Sequence, residues 1–123
     1  MSGLICLTGA TGFVGRHVLE ELSKGASPVR VVTRPGRADG LPVGVDVRLS
    51  TALFEEDEDW WVDTLKGVDT LIHVAWIATP GEYLTSPLNH QCLTGSLTIG
   101  RAAVRACVRR FIGIGTCFEY EMT

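Results

Sequence analysis

The stretch Thr8-Gly9-Ala10-Thr11-Gly12-Phe13-Val14-Gly15 limits what this chain can fold into more than any other. It follows the apolar run Leu4-Ile5-Cys6-Leu7 and opens an amphipathic segment with Val14, Val18, Leu19 and Leu22 on one side. An apolar run, a glycine-rich turn and a helical period, in that order, predict strand, tight turn and helix. Each glycine has its own task in such a turn. Gly9 permits a bend too sharp for a Cβ, Gly12 lets backbone approach a pyrophosphate, and Gly15 lets the helix pack closely on the strand. The free N–H groups opening the helix, at the positive end of its dipole, then cradle the anion. A glycine-rich turn that only joins two elements is the plain alternative, and the flanking strand and helix favour the cradle. Its residues are Gly9, Thr11, Gly12, Phe13, Val14 and Gly15.

The remainder alternates in the same manner. Gly25 is a helix stop, and Val29–Thr33 reads as a second strand. A loop rich in Pro, Gly and Arg runs from Arg34 to Pro42, and Val45–Leu49 alternates with period two as a short third strand. The acidic run Glu55–Asp59 precedes a short helix, Trp60–Leu65, stopped by Gly67. Carboxylates at a helix start are stabilised by its dipole, so a solvated helix start explains that run better than a binding feature. Thr70–Ala75 is nearly continuously apolar, as a strand covered on both faces should be. A long helix is expected from about Leu88 to Cys107, and a fifth strand over Phe111–Gly115. Alternation at this spacing predicts an α/β fold with a doubly wound parallel sheet. In such a sheet, ligands bind beyond the carboxyl ends of the strands, near the switch point between the first and fourth.

That rule selects the residues just after each strand. Arg34, with Arg37 three residues on, follows the second strand. A bare ribose 2′-hydroxyl favours a carboxylate there, whereas a guanidinium suits a 2′-phosphate, so NADP is expected over NAD. A solvated loop arginine is the alternative. After the fourth strand, small Ala75 leaves room for a flat ligand through its backbone. His73, flanked by Ile72 and Val74, reads as a structural histidine with a satisfied hydrogen bond rather than a base. After the fifth, the Thr116 hydroxyl stands where a substrate oxygen would meet a nicotinamide, or else serves the turn. Cys117 has no legible His–carboxylate pair to activate it.

Composition narrows the classes. A net charge of -3 makes no case for nucleic acid or an anionic membrane. No apolar run approaches the roughly 18 residues of a membrane span. A strand within four residues of Met1 leaves no room for a signal peptide, so a cytoplasmic setting is expected. Cys6, Cys92, Cys107 and Cys117 are widely spaced with no C-x-x-C pair, which points to buried small hydrophobes and away from a metal site.

Together these residues resemble a known family. Thr8–Gly15 is similar to the fingerprint of extended short-chain dehydrogenases/reductases, the NAD(P)-dependent nucleotide-sugar epimerase/dehydratase group. Lys66–Ala75 resembles that family's fourth-strand motif, a helix ending in G-V-D and a strand ending in H-x-A. Asn89, six residues before Gly95, matches its Asn-x-x-x-x-x-Gly region opening the long helix, and Arg110–Thr116 followed by Tyr120 resembles its fifth strand. The resemblance implies a Rossmann-type fold and hydride transfer at a sugar hydroxyl or carbonyl. It implies the pyrophosphate at Gly9, Gly12 and Gly15, the adenosine ribose at Arg34, and an orienting hydroxyl at Thr116. Ala75 and Asn89 join the cofactor-binding set, and the substrate implied is a small molecule, a nucleotide sugar.

One departure is decisive. In that family a Tyr, paired with a Lys four residues later, exchanges the hydroxyl proton, because an unaided alkoxide is too costly. Here Tyr83 has Pro87 four residues on, and Tyr120 stands three residues before Thr123. Residues 1–123 are therefore expected to be the NAD(P)-binding part of a longer epimerase- or dehydratase-like oxidoreductase, without turnover of their own. A non-catalytic, redox-sensing dinucleotide module is the alternative. The fifth strand is expected to form an exposed edge that promotes self-association.

Overall fold

Consecutive residues of the first strand face opposite ways, Cys6 into one apolar cluster and Leu7 into another. A strand buried on both faces needs helices above and below it. The computed structural model describes residues 3–76 and 86–114, and the elements meet that need. They run β1 (Leu4–Thr8), α1 (Phe13–Ser23), β2 (Val29–Thr33), a 3₁₀ turn at Pro35–Arg37, β3 (Asp46–Leu49), α2 (Glu58–Thr64), β4 (Val68–His73), α3 (Leu88–Arg105) and β5 (Arg110–Gly113). The sheet order is β3-β2-β1-β4-β5, with every pairing parallel. The chain steps outward from β1 to one edge and then returns to the other side at β4. That reversal is the expected switch point, and the fold is the Rossmann-type doubly wound α/β sheet.

One face is covered by α1, whose Leu19 packs with Leu7, Val29 and Val31. On the other, Trp61, Leu65, Ile99 and Ala102 of the α2 and α3 regions pack on Cys6, Val32 and Leu71. Trp61 is fully buried, and its indole N–H donates to the Leu53 carbonyl at 3.2 Å, so its burial leaves no orphaned donor. Burial of a side chain of that size stabilises by roughly 2–3 kcal/mol. Val14 does not share the apolar face of α1: it is 46% exposed, and Gly15 takes the inward position.

The acidic run is a helix start, as expected. Asp57 caps α2 by accepting from the Trp60 N–H at 2.8 Å, and Glu58 and Asp59 occupy the first turn. Glu58 also accepts from Arg101 and Arg105 on α3, tying the two helices together.

Several boundaries differ from the expectation. β4 runs Val68–His73, two residues earlier at both ends: it starts where Val68 pairs with Leu4, and it stops where the Val74 and Ala75 amides leave the ladder and donate to the Thr8 hydroxyl. Helix α3 stops at Arg105, where Cys107 turns left-handed with φ 61° and the Val108 N–H returns to the Ala103 carbonyl. Cys107 therefore lies outside the helix and is exposed, unlike the buried Cys6 and Cys92. Among the described residues, strand β5 is an edge exposed along its whole length, with Phe111 and Ile112 each 44% accessible. Among the described residues, no helix is long and apolar enough to cross a membrane.

Candidate dinucleotide site

The glycine turn joins β1 to α1 in the geometry that its sequence demands. Gly9 has φ +73°, and a Cβ there would stand 2.7 Å from the Ala75 nitrogen. A Cβ on Gly15 would collide with the Gly9 carbonyl, so only glycine brings α1 this close to β1. Gly12 is different: its φ is -79°, and an added Cβ would meet the Gly9 carbonyl oxygen at 3.4 Å, an ordinary contact. What distinguishes Gly12 is the open space it faces. It caps α1 with no side-chain hydrogen bond, and no acidic residue stands in the first turn.

That space is a cavity of about 350 Å³ beyond the carboxyl ends of the strands. Gly9, Thr11 and Gly12 form one wall, Arg34 and Arg37 flank it, and Ala75 and Trp76 close an end. The segment Thr51–Glu55, after β3, forms the opposite wall. Among the described residues, neither Arg34 nor Arg37 has a hydrogen-bonding or ion-pairing side-chain partner, while Glu55 accepts from Gln91 at 2.6 Å. A helix start with free N–H groups and two unpaired guanidinium groups make this cavity receptive to anions.

Phe13, Val14 and Gly15 do not line the cavity with side chains. Phe13 is 78% exposed and holds the Arg16 guanidinium 5.3 Å from its ring centre. Asn89 stands one residue removed: its Oδ1 accepts from Trp76 Nε1 at 2.6 Å, and it is Trp76 that lines the cavity. Thr116 lies outside the described residues, as do Tyr83, Cys117 and Tyr120.

His73 is structural in the way its neighbours suggested. It is buried, its Nδ1 lies 2.7 Å from the Thr8 hydroxyl, and its Nε2 lies 2.8 Å from the Ser96 hydroxyl. Burial pushes its pKa down to about 4, so the ring is neutral at pH 7 and a weaker proton acceptor than an ordinary histidine. It also lines a smaller cavity of about 260 Å³, bounded by Ala75, Trp76, Ser96, Phe111 and Ile114. Ala75 and Trp76 are shared between the two cavities.

The wall Thr51–Glu55 went unnoticed in the sequence. The strand-end rule covers it, since it follows β3, but its one acidic residue, Glu55, belongs to the acidic run that opens the next helix. Phe54 is seated there by Gly95 of α3, where a Cβ would stand 2.7 Å from the Phe54 carbonyl oxygen. Its ring meets those of His73 and Trp76 edge-on.

Residues 5–123 match the NAD dependent epimerase/dehydratase family. The chain belongs to that family. A nicotinamide dinucleotide cofactor goes with that membership, at the level of NAD or NADP together. The fold is similar to that of UDP-N-acetylglucosamine 4-epimerase from Bacillus cereus, with a TM-score of 0.76, 22% identity and coverage of 98% of this chain and 39% of that one. It is similar too to the Bordetella bronchiseptica enzyme WbmG in complex with NAD, with a TM-score of 0.74, 17% identity and coverage of 95% and 38%. A non-ribosomal peptide synthetase, CmlP, from Streptomyces venezuelae is 31% identical over 118 residues, 87% of this chain and 12% of the synthetase. In every case the chain spans less than half of the relative.

Proposed function

We propose that this chain is the dinucleotide-binding part of an NADP-preferring oxidoreductase acting at a sugar hydroxyl or carbonyl. The observation that carries the reading is the start of α1, without a side-chain cap, opening on a cavity flanked by Arg34 and Arg37, whose side chains have no partner among the described residues. The pyrophosphate would lie on Gly9, Thr11 and Gly12, with Phe13, Val14 and Gly15 contributing backbone amides rather than side chains. Arg34 would take the 2′-phosphate, and Ala75 would wall the nicotinamide end. Asn89 would act through Trp76. A bound nicotinamide supplies the hydride donor or acceptor, and Thr116 would orient the substrate oxygen. A small-molecule substrate of the nucleotide-sugar class and a cytoplasmic setting complete the reading.

The test is a calorimetric titration of NADPH and NADH into this chain and its Arg34→Glu variant. NADPH affinity should fall about tenfold or more, since a charge-assisted hydrogen bond contributes about 1.5–3 kcal/mol, with a smaller loss for NADH. Equal losses would remove the 2′-phosphate role. The Streptomyces relative supports a second parent, a longer peptide synthetase, since the match covers 12% of that protein. Intact mass from the native source separates the cases. A species far heavier than 13.3 kDa would be searched for a Tyr-x-x-x-Lys segment, and one at that mass would favour the non-catalytic module.

A further inference from the structure

The Thr8 hydroxyl receives two amides at once. Val74 N–H donates to Thr8 Oγ1 at 3.1 Å and Ala75 N–H at 3.2 Å. A hydroxyl has two lone pairs and one proton. With both lone pairs engaged, only its proton is left to serve the third neighbour, His73 Nδ1 at 2.7 Å. Nδ1 must then be the bare acceptor, and the ring proton belongs on Nε2, where it donates to the Ser96 hydroxyl at 2.8 Å. The opposite tautomer would point three N–H donors at one oxygen and leave the Thr8 proton without an acceptor. No buried side-chain polar atom among the described residues lacks a partner, so the network has no slack elsewhere.

We propose that His73 is a positioning residue: it turns the Thr8 hydroxyl so that both lone pairs meet the Val74 and Ala75 amides, which fixes the end of β4. Ser96 on α3 selects the tautomer that lets it do so. The consequence reaches the cavity through Ala75, whose nitrogen would stand 2.7 Å from a Cβ on Gly9. The wall facing the glycine turn is thereby set by a side chain that does not itself line that cavity. This last step rests on the dinucleotide reading above, whereas the hydrogen-bond relay does not.

The relay is tested without any ligand. Long-range ¹H–¹⁵N correlation on the 123-residue chain should show His73 as the Nε2–H tautomer, and Ser96→Ala should mix in the other form. Amide exchange should then speed up by about tenfold at Val74 and Ala75 in Thr8→Val and in His73→Leu, while the β1 and β2 ladder amides stay protected. Thr8→Ser and His73→Asn, whose Oδ1 can accept in place of Nδ1, should restore the slow exchange. An Nδ1–H tautomer in the native chain would overturn the proposal. So would unchanged exchange in Thr8→Val, which keeps the shape of threonine and so leaves a readable result even where His73→Leu unfolds. The positioning claim is read from dinucleotide affinity, which should fall at least threefold in Thr8→Val and recover in Thr8→Ser. Accelerated exchange with unchanged affinity would overturn that claim. Failure of the native chain to bind either dinucleotide would instead sink the functional reading and leave the relay to be judged by exchange alone.

Discussion

His73 shows how burial and hydrogen bonding divide the labour at a single residue. Its partners hold the ring in place, and desolvation lowers its pKa from the ordinary 6.5 to about 4. Between those values the unfolded chain carries a proton that the folded chain refuses. Stability should therefore rise with pH from about 4 to about 6.5 and not change further above that on this group's account. The full effect is roughly 3 kcal/mol, from about 1.4 kcal/mol per pKa unit. Urea denaturation across that window checks it, and His73→Asn should flatten the His73 contribution to the slope. The sequence alone favours a structural histidine here, because it sits between Ile72 and Val74 in an apolar strand. It does not reveal the two hydroxyl partners, which come from β1 and α3, 65 and 23 residues away.

At the scale of elements, the ends were harder to read than the existence of each piece. The glycine turn, β2 and the start of α3 stood where pattern placed them, since periodicity and turn residues act locally. The end of β4 did not, because a side chain on a neighbouring strand captures its last amides. The end of α3 offers a direct test. Cys107 holds a left-handed conformation at φ 61°, the place where helices commonly carry glycine. Cys107→Gly should stabilise the fold by about 1 kcal/mol, measured as a shift in the denaturation midpoint. No change or a loss would mean that the exposed thiol makes a compensating contact. The wall Thr51–Glu55 was illegible for another reason: nothing in its composition signals a ligand, and only the approach of α3 at Gly95 turns it into a surface of the cavity.

Among the described residues, the molecule is a parallel sheet with two unequal edges. Both edges expose apolar side chains, Val47 and Leu49 on β3 and Phe111 and Ile112 on β5, but β3 also carries ion pairs from Asp46 to Arg30 and from Arg48 to Asp63. An exposed apolar edge favours pairing with another strand. Sedimentation of the 123-residue chain should show concentration-dependent self-association, relieved by Ile112→Lys. A monodisperse monomer at every concentration would remove that expectation. The sheet also sorts the tryptophans. Trp60 and Trp61 pack against each other with ring centres 5.0 Å apart, Trp61 fully buried, while Trp76 stands on the boundary of both cavities. The chain thus carries a built-in optical probe. Occupancy of either cavity should alter the emission of the Trp76 indole and leave the other two unchanged. Trp76→Phe should silence the response, and a response that survives the substitution would place the ligand elsewhere. One exposed indole, hydrogen-bonded to Asn89 at the mouth of the fold, makes binding visible without a label.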